Sequence, residues 1–180
     1  LLLGLELKGR VLGVVGCGRI GSEVARIGVS LGLQVIVYDR VKKEGFVYRT
    51  LDRLLAEADI ITLHLPLTEE TRHLIDRKRL SLLKDGAILI NTGRGALIDE
   101  SALIEVLKRG RIRAGLDVYE REPLVPEELK SLNNVILLPH IGSATHHARY
   151  QMSRLCFEGI RAVLSGELPQ NLVNPEVRSG

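Results

Sequence analysis

The sequence predicts an α/β protein: a doubly wound parallel sheet, in a single domain, within 180 residues. Three observations carry that reading. Short apolar runs alternate along the chain with segments whose apolar residues recur at helical spacing. One such run ends in a glycine-rich turn, Gly16-Cys17-Gly18-Arg19-Ile20-Gly21, that opens directly into a helix pattern. Three later runs each end in a short turn carrying one chemically active side chain: Arg94, Glu122 and His140. A βαβα rhythm specifies a parallel sheet with helices on both faces. The carboxyl ends of its strands then share one crevice, where ligands bind.

The elements follow in order. Residues 11–15 form a buried-strand pattern, after which Ile20, Val24, Ile27 and Leu31 recur at helical spacing. Residues 35–38 read as the second strand. Thr50 is placed to cap a helix with Leu51, Leu54, Leu55 and Ala58 on one face. Residues 60–65 read as a strand, 77–83 as a helix and 87–90 as a strand. Asp99 is placed to cap a helix that buries Leu103, Val106 and Leu107. Residues 114–118 and 135–138 complete the strands. Residues 145–164 predict a long final helix, with Met152, Leu155, Ile160 and Val163 among its apolar positions. The tail from Leu168 to Pro175 holds two prolines and two asparagines, poor material for an element interior, and reads as a connector.

Composition narrows the function. Aromatic residues make up only 3% of the chain, with no Trp, which argues against a base-stacking nucleic-acid platform. The net charge of +3 is mild. The densest basic run, Lys108 to Arg113, is better read as a helix C-terminus, where cations are favoured and Gly110 stands as the C-cap glycine. No apolar run reaches membrane-span length and no signal-peptide pattern opens the chain. Cys17 and Cys156 have no disulfide or zinc spacing, so no metal is expected, and a reducing cytoplasm fits. The chain has no initiator Met, and Leu1-Leu2-Leu3-Gly4-Leu5 looks like a cut through a longer protein.

The loop at residues 16–21 matches G-x-G-x-x-G. Alone the pattern is weak, but here it follows a strand and opens a helix, as the dinucleotide fingerprint requires. Gly16 permits the tight turn, Gly18 lets the backbone approach a pyrophosphate, and Gly21 allows close helix–strand packing. The helix N-terminus offers free N–H groups and partial positive charge to phosphates. A P-loop is excluded because Ser22, not Lys, follows Gly21. Asp39 ends the second strand 18 residues beyond Gly21, where an acidic side chain binds the ribose hydroxyls of NAD and repels the extra phosphate of NADP. Arg40 follows and partly offsets that charge. The expectation is an NAD-binding Rossmann fold, with NADP disfavoured. Tyr38 and Lys42 match a Tyr-x-x-x-Lys reductase pattern as text, but at the ribose end of a strand rather than on a helix, and the match is set aside.

Arg94 stands between two glycines just past a strand. A guanidinium fork binds a carboxylate bidentately and polarises an adjacent carbonyl, the pair of groups that a 2-oxo acid presents. His140 is the natural acid–base group, since hydride reduction of a ketone needs a proton at oxygen near neutral pH. A carboxylate beside it would hold the ring. Glu120 and Glu122 are both available, and spacing does not choose between them. Asp117, at a strand end, either meets the nicotinamide end of the cofactor or caps the following turn. His64, His73, His146 and His147 read as ordinary histidines, since nothing in the sequence pairs them with a metal or a base.

Together the glycine loop, Asp39, His64-Leu65-Pro66-Leu67-Thr68, Asn91-Thr92-Gly93-Arg94-Gly95, the segment from Leu116 to Pro123, and the segment from Leu138 to Thr145 resemble the D-isomer-specific 2-hydroxyacid dehydrogenases. The resemblance covers nearly the whole chain in order. It implies a catalytic trio of Arg94, Glu122 and His140, choosing Glu122 over Glu120. It implies that Asp117 contacts the nicotinamide carboxamide, and that Arg19, Ile20, Leu65, Thr92, Gly93 and Gly142 line the cofactor. The Pro139-His140-Ile141-Gly142-Ser143 stretch leans toward glyoxylate and hydroxypyruvate reductases. A small 2-oxo or 2-hydroxy acid substrate and a homodimer are implied, with no nucleic acid and no membrane as partner.

Two departures accompany the resemblance. Segment 40–59 is short for the family, which predicts an abbreviated helix after Asp39. The family's substrate domain is almost wholly missing, so residues 1–166 read as the cofactor domain and 167–180 as a connector toward that domain. The alternative reading is an NAD-binding module without turnover, either an isolated domain or a corepressor-like cofactor sensor.

Overall fold

The computed structural model describes residues 4–174 and 176. Leu1 to Leu3 of the expected cut, and Pro175 and residues 177–180 of the expected connector, lie outside the described residues. The chain forms two compact units, residues 1–140 and 141–180.

The first unit is built on one sheet. Its strands are β1 (Val11–Val15), β2 (Gln34–Tyr38), β3 (Val47–Tyr48), β4 (Ile60–Leu63), β5 (Ile88–Asn91), β6 (Arg113–Leu116) and β7 (Val135–Leu137). The order is β3-β2-β1-β4-β5-β6-β7, with every neighbouring pair parallel. This is the doubly wound arrangement that the sequence predicts. Strand order reverses between β1 and β4, and a crevice opens at the carboxyl ends at such a switch point.

The helices of this unit are α1 (Arg19–Ser30), α2 (Leu51–Glu57), α3 (Arg77–Leu82), α4 (Glu100–Lys108) and α5 (Glu127–Lys130). The two-residue period of β1 divides the core in two. Leu12 and Val14 pack with Ala25 of α1 and with Leu33, Val37 and Ile60. Val15, on the other face, packs with Leu51, Leu54 and Leu55 of α2, Leu80 of α3 and Leu103 and Leu107 of α4. Gly13 lets α2 settle on β1: a Cβ there would stand 2.5 Å from a Leu54 methyl.

Local signals set the helix ends. Asp99 caps α4 as predicted, its Oδ1 accepting the Ala102 N–H at 3.0 Å. Asp76, which the sequence reading passed over, caps α3 through the Arg79 N–H at 2.8 Å. Thr50 corrects an expectation: it stands at the N-cap of α2, but its side chain accepts no capping hydrogen bond.

α1 holds a second surprise. It meets the sheet through its smallest residues, Gly21, Ser22, Ala25 and Gly28, which are buried. The apolar series seen in the sequence faces outward, with Ile20, Ile27 and Leu31 exposed. Close approach of helix to strand demands small side chains, and a Cβ on Gly28 would lie 2.6 Å from Leu12.

β3, α5 and a 3-10 turn at Gly95–Leu97 are additions that the sequence reading did not predict. After β2 the chain runs through residues 40–46 without a helix, forms β3, and only then enters the two-turn α2. The expected shortening after Asp39 takes that form.

The second unit contains α6 (His146–Leu164), capped by Thr145, whose Oγ1 accepts the Ala148 N–H at 3.1 Å. The apolar positions Met152, Leu155, Ile160 and Val163 are exposed. Residues 167–174 follow without helix or strand.

Candidate active site

Because every strand of the sheet is parallel, the loops after β1, β2, β4, β5, β6 and β7 leave the same edge. The glycine loop follows β1. Gly16 has φ +95°, a left-handed backbone, and its N–H donates to the Tyr38 carbonyl at 2.8 Å. Gly21 sits so close beneath it that a Cβ would fall 1.8 Å from the Gly16 oxygen. Around Gly18, by contrast, nothing lies within 4 Å of a notional Cβ. The loop is thus sealed toward the sheet and open at its middle glycine. α1 begins there, with no side chain capping its first-turn N–H groups. A cradle of bare backbone donors fits a pyrophosphate.

Asp39 is at the end of β2. Its Oδ2 accepts the Cys17 N–H at 2.6 Å and its Oδ1 accepts the Val41 N–H at 3.0 Å. The carboxylate is therefore held against the glycine loop. Arg40 reaches toward Glu70, at 3.9 Å. Arg19 and Ile20 are exposed in the first turn of α1, and Leu65 flanks Gly16 from the end of β4. These positions suit an adenine dinucleotide.

Arg94 follows β5. Asn91, buried at the strand end, braces its loop: the amide nitrogen donates to the Arg94 carbonyl at 2.9 Å, and the amide oxygen accepts the Gly93 N–H at 3.1 Å. Such side-chain-to-backbone bonding two residues on is typical of asparagine in turns. The bracing was the part of the motif that sequence reasoning missed. The Arg94 side chain stays exposed, donating to the Gly93 carbonyl, and Thr92 beside it is exposed too. Asp117, at the end of β6, is buried, and its backbone N–H donates to the Asn91 carbonyl at 3.0 Å.

The carboxylate question left open by spacing has a geometric answer. Glu122 Oε2 lies 2.8 Å from His140 Nδ1. Glu120 instead meets His73 Nε2 at 3.0 Å. The second pair corrects the reading of His73 as lacking a partner base: 47 residues separate the two groups, and only the fold brings them together. Both histidines have left-handed backbones, φ 53° at His140 and 50° at His73.

Burial pushes the Glu122 carboxyl up. The hydrogen bonds from His140 and the Tyr119 N–H, and the charges of His140 and Arg94, outweigh it and hold the group below its usual 4.5. Glu122 is thus a carboxylate at neutral pH, which makes Nδ1 of His140 the protonated donor and leaves Nε2 for a substrate. A cavity of about 330 Å³ adjoins the pair, lined chiefly by Val125, Leu137, Leu138 and Pro139. Gly142 belongs to the second unit, in the turn that precedes α6.

The NAD-binding domain model of the D-isomer-specific 2-hydroxyacid dehydrogenases matches residues 1–142. The chain belongs to that family. It is 48% identical to a glyoxylate reductase of Aeropyrum pernix, over 98% of this chain and 55% of that protein. It is 50% identical to a glyoxylate reductase of Thermococcus litoralis, over 98% and 56%. Among solved structures, the TT0316 protein of Thermus thermophilus superposes with a TM-score of 0.90 at 47% identity, over 95% of this chain and 56% of that one. A D-lactate dehydrogenase of Aquifex aeolicus, solved with NAD and lactic acid, superposes at 0.85 with 39% identity, over 92% and 56%. The chain therefore spans about half the length of the dehydrogenases it matches, and it carries the half that binds NAD.

Proposed function

We propose that this chain is the cofactor-binding and catalytic domain of an NAD-dependent D-2-hydroxyacid dehydrogenase that reduces a small 2-oxo acid such as glyoxylate or hydroxypyruvate. The observation that carries the proposal is the 2.8 Å Glu122–His140 pair on the same sheet edge as Arg94 and the open glycine loop. Residues 16–21 would hold the pyrophosphate and Asp39 the ribose, with Arg19, Ile20, Leu65, Thr92, Gly93 and Asp117 around the remainder. The fixed Asp39 carboxylate favours NAD over NADP. NADH, when bound, supplies the hydride for the substrate carbonyl carbon.

The residues of the chain do the rest. Arg94 clamps the substrate carboxylate and draws electron density from the carbonyl oxygen. His140 donates its Nε2 proton to that oxygen. Glu122 accepts the Nδ1–H bond, fixing ring orientation and tautomer and stabilising the charged imidazole. In the reverse direction neutral His140 takes the hydroxyl proton.

The experiment uses the full-length protein that carries this chain. In His140→Ala, kcat for glyoxylate should fall by about 100- to 10,000-fold, while the NADH dissociation constant, read by fluorescence titration, stays within about twofold. NADPH should bind the parent more weakly than NADH. A fully active variant ends the assignment of His140, and equal binding of both cofactors ends that of Asp39.

Residues 1–166 act as the cofactor domain and 167–180 as the link to the substrate domain. The enzyme works as a homodimer, a reading supported by the outward apolar row of α1. Two free cysteines, Cys17 and Cys156, support a reducing cytoplasm, and no described helix is long and apolar enough to cross a membrane. Recovery of the expressed protein in a membrane fraction would contradict that location.

A further inference from the structure

We propose that Tyr119 is a positioning residue that ties the three catalytic loops together, its hydroxyl setting the place of His140. The inference rests on the catalytic reading of Arg94, Glu122 and His140 above.

Tyr119 is 6% exposed, three residues beyond the end of β6. It reaches each loop by a different group. Its backbone N–H donates to Glu122 Oε1 at 3.1 Å, opposite the oxygen that meets His140. Its hydroxyl donates to the Leu138 carbonyl at 2.8 Å, two residues before His140. Its own carbonyl carbon packs on the loop of Arg94, so that a Cβ on Gly95 would lie 1.9 Å away.

A closed circuit results. It runs from the Tyr119 N–H through Glu122 to the His140 ring, back along Pro139 to the Leu138 carbonyl, and through the phenol to Tyr119 again. β7 ends at Leu137, so beyond the Leu138 N–H bond to Leu116 at 2.9 Å the sheet no longer fixes the chain. His140 has a left-handed backbone just past that point. The phenol supplies the restraint that the ladder has stopped supplying. A ring without the hydroxyl would fill the same space and leave the Leu138 carbonyl without this donor, so the bond itself is testable. Burial raises the phenol's pKa, which keeps the donor protonated through the range in which a histidine acid works.

The test is Y119F in the full-length protein, compared with the parent for kcat, KM, the pH dependence of kcat, NADH affinity and Tm. The expected result is a fall in kcat of about two- to tenfold, from loss of one hydrogen bond, with NADH affinity unchanged and the histidine limb of the pH profile displaced. A lower Tm with unaltered kcat and pH profile would mean a merely structural tyrosine and would overturn the proposal. Should Y119F fold poorly, 3,5-difluorotyrosine at position 119 keeps ring and hydroxyl but acidifies the phenol. Its kcat should then fall at alkaline pH where the parent's does not, and a parent-like profile overturns the inference. A parent without turnover on any 2-oxo acid defeats the functional reading instead, so the two failures are distinguishable.

Discussion

His64 shows how a single half-buried group writes a pH dependence into the fold. It stands at the end of β4, its Nε2 2.9 Å from Thr62 Oγ1, and burial holds its imidazole below the ordinary 6.5. The folded chain therefore binds a proton there less readily than the unfolded chain. By linkage, the stability due to neutral His64 is complete above about pH 6.5 and declines as pH falls toward the lower folded value. Between pH 7.5 and 5.5, at about those limits, the parent's Tm should fall more than that of His64→Gln. Parallel curves would show that His64 carries no such linkage. The same residue scale sets the limit of sequence reading at the site. The turns that carry Arg94, Glu122 and His140 were recognisable in the sequence, and the family resemblance preferred Glu122 to Glu120 where spacing did not. The pairing of Glu120 with His73 was not legible, because 47 residues separate the two and only the fold joins them. Tyr119 carried no signal of its own, since nothing in a sequence says where a phenol's hydroxyl will find a carbonyl.

At the scale of elements, periodicity located every helix of six residues or more and all strands but β3. Two residues at Val47–Tyr48 are too few for a period. What periodicity did not give was the direction of α1. Ile20, Ile27 and Leu31 of the apolar series are exposed and Val24 is half-buried, yet the glycine, alanine and serine face is buried, because distance of approach decides the contact there. The contact of Gly21 with the Gly16 carbonyl gives that statement a number. Gly21→Ala must move backbone against backbone, since its Cβ would start 1.8 Å from an oxygen. The expected cost is about 1–3 kcal/mol or more of stability, measured by urea unfolding, together with a loss of NADH affinity. An alanine variant with parental stability and affinity would mean that the helix can slide, and that the close fit is not a requirement of the loop.

Across the whole molecule, the proposed roles separate along the sheet. Residues 16–21 and Asp39, which suit the dinucleotide, extend from β1 and β2. Arg94, Glu122 and His140, proposed for substrate binding and acid–base work, extend from β5, β6 and β7. The fully buried β4 divides them. Ile27 and Leu31, farther along α1 and exposed, lie outside both groups, and they motivate the dimer reading. Exchanging Ile27, which is 58% exposed, for lysine should weaken self-association about tenfold or more without altering the fold, as read by analytical ultracentrifugation of the full-length protein. A parent that sediments as a monomer, or a variant that associates as the parent does, removes that interface.

The two margins of the sheet have a consequence of another kind. β3 has two residues and β7 three, and among the described residues these are the strands with an unpaired side. A foreign chain adding to either margin would find only a few exposed amide and carbonyl groups to template on, too few to nucleate fibrillar growth. Brevity of the outermost strands blunts both edges of this sheet against pairing with another chain.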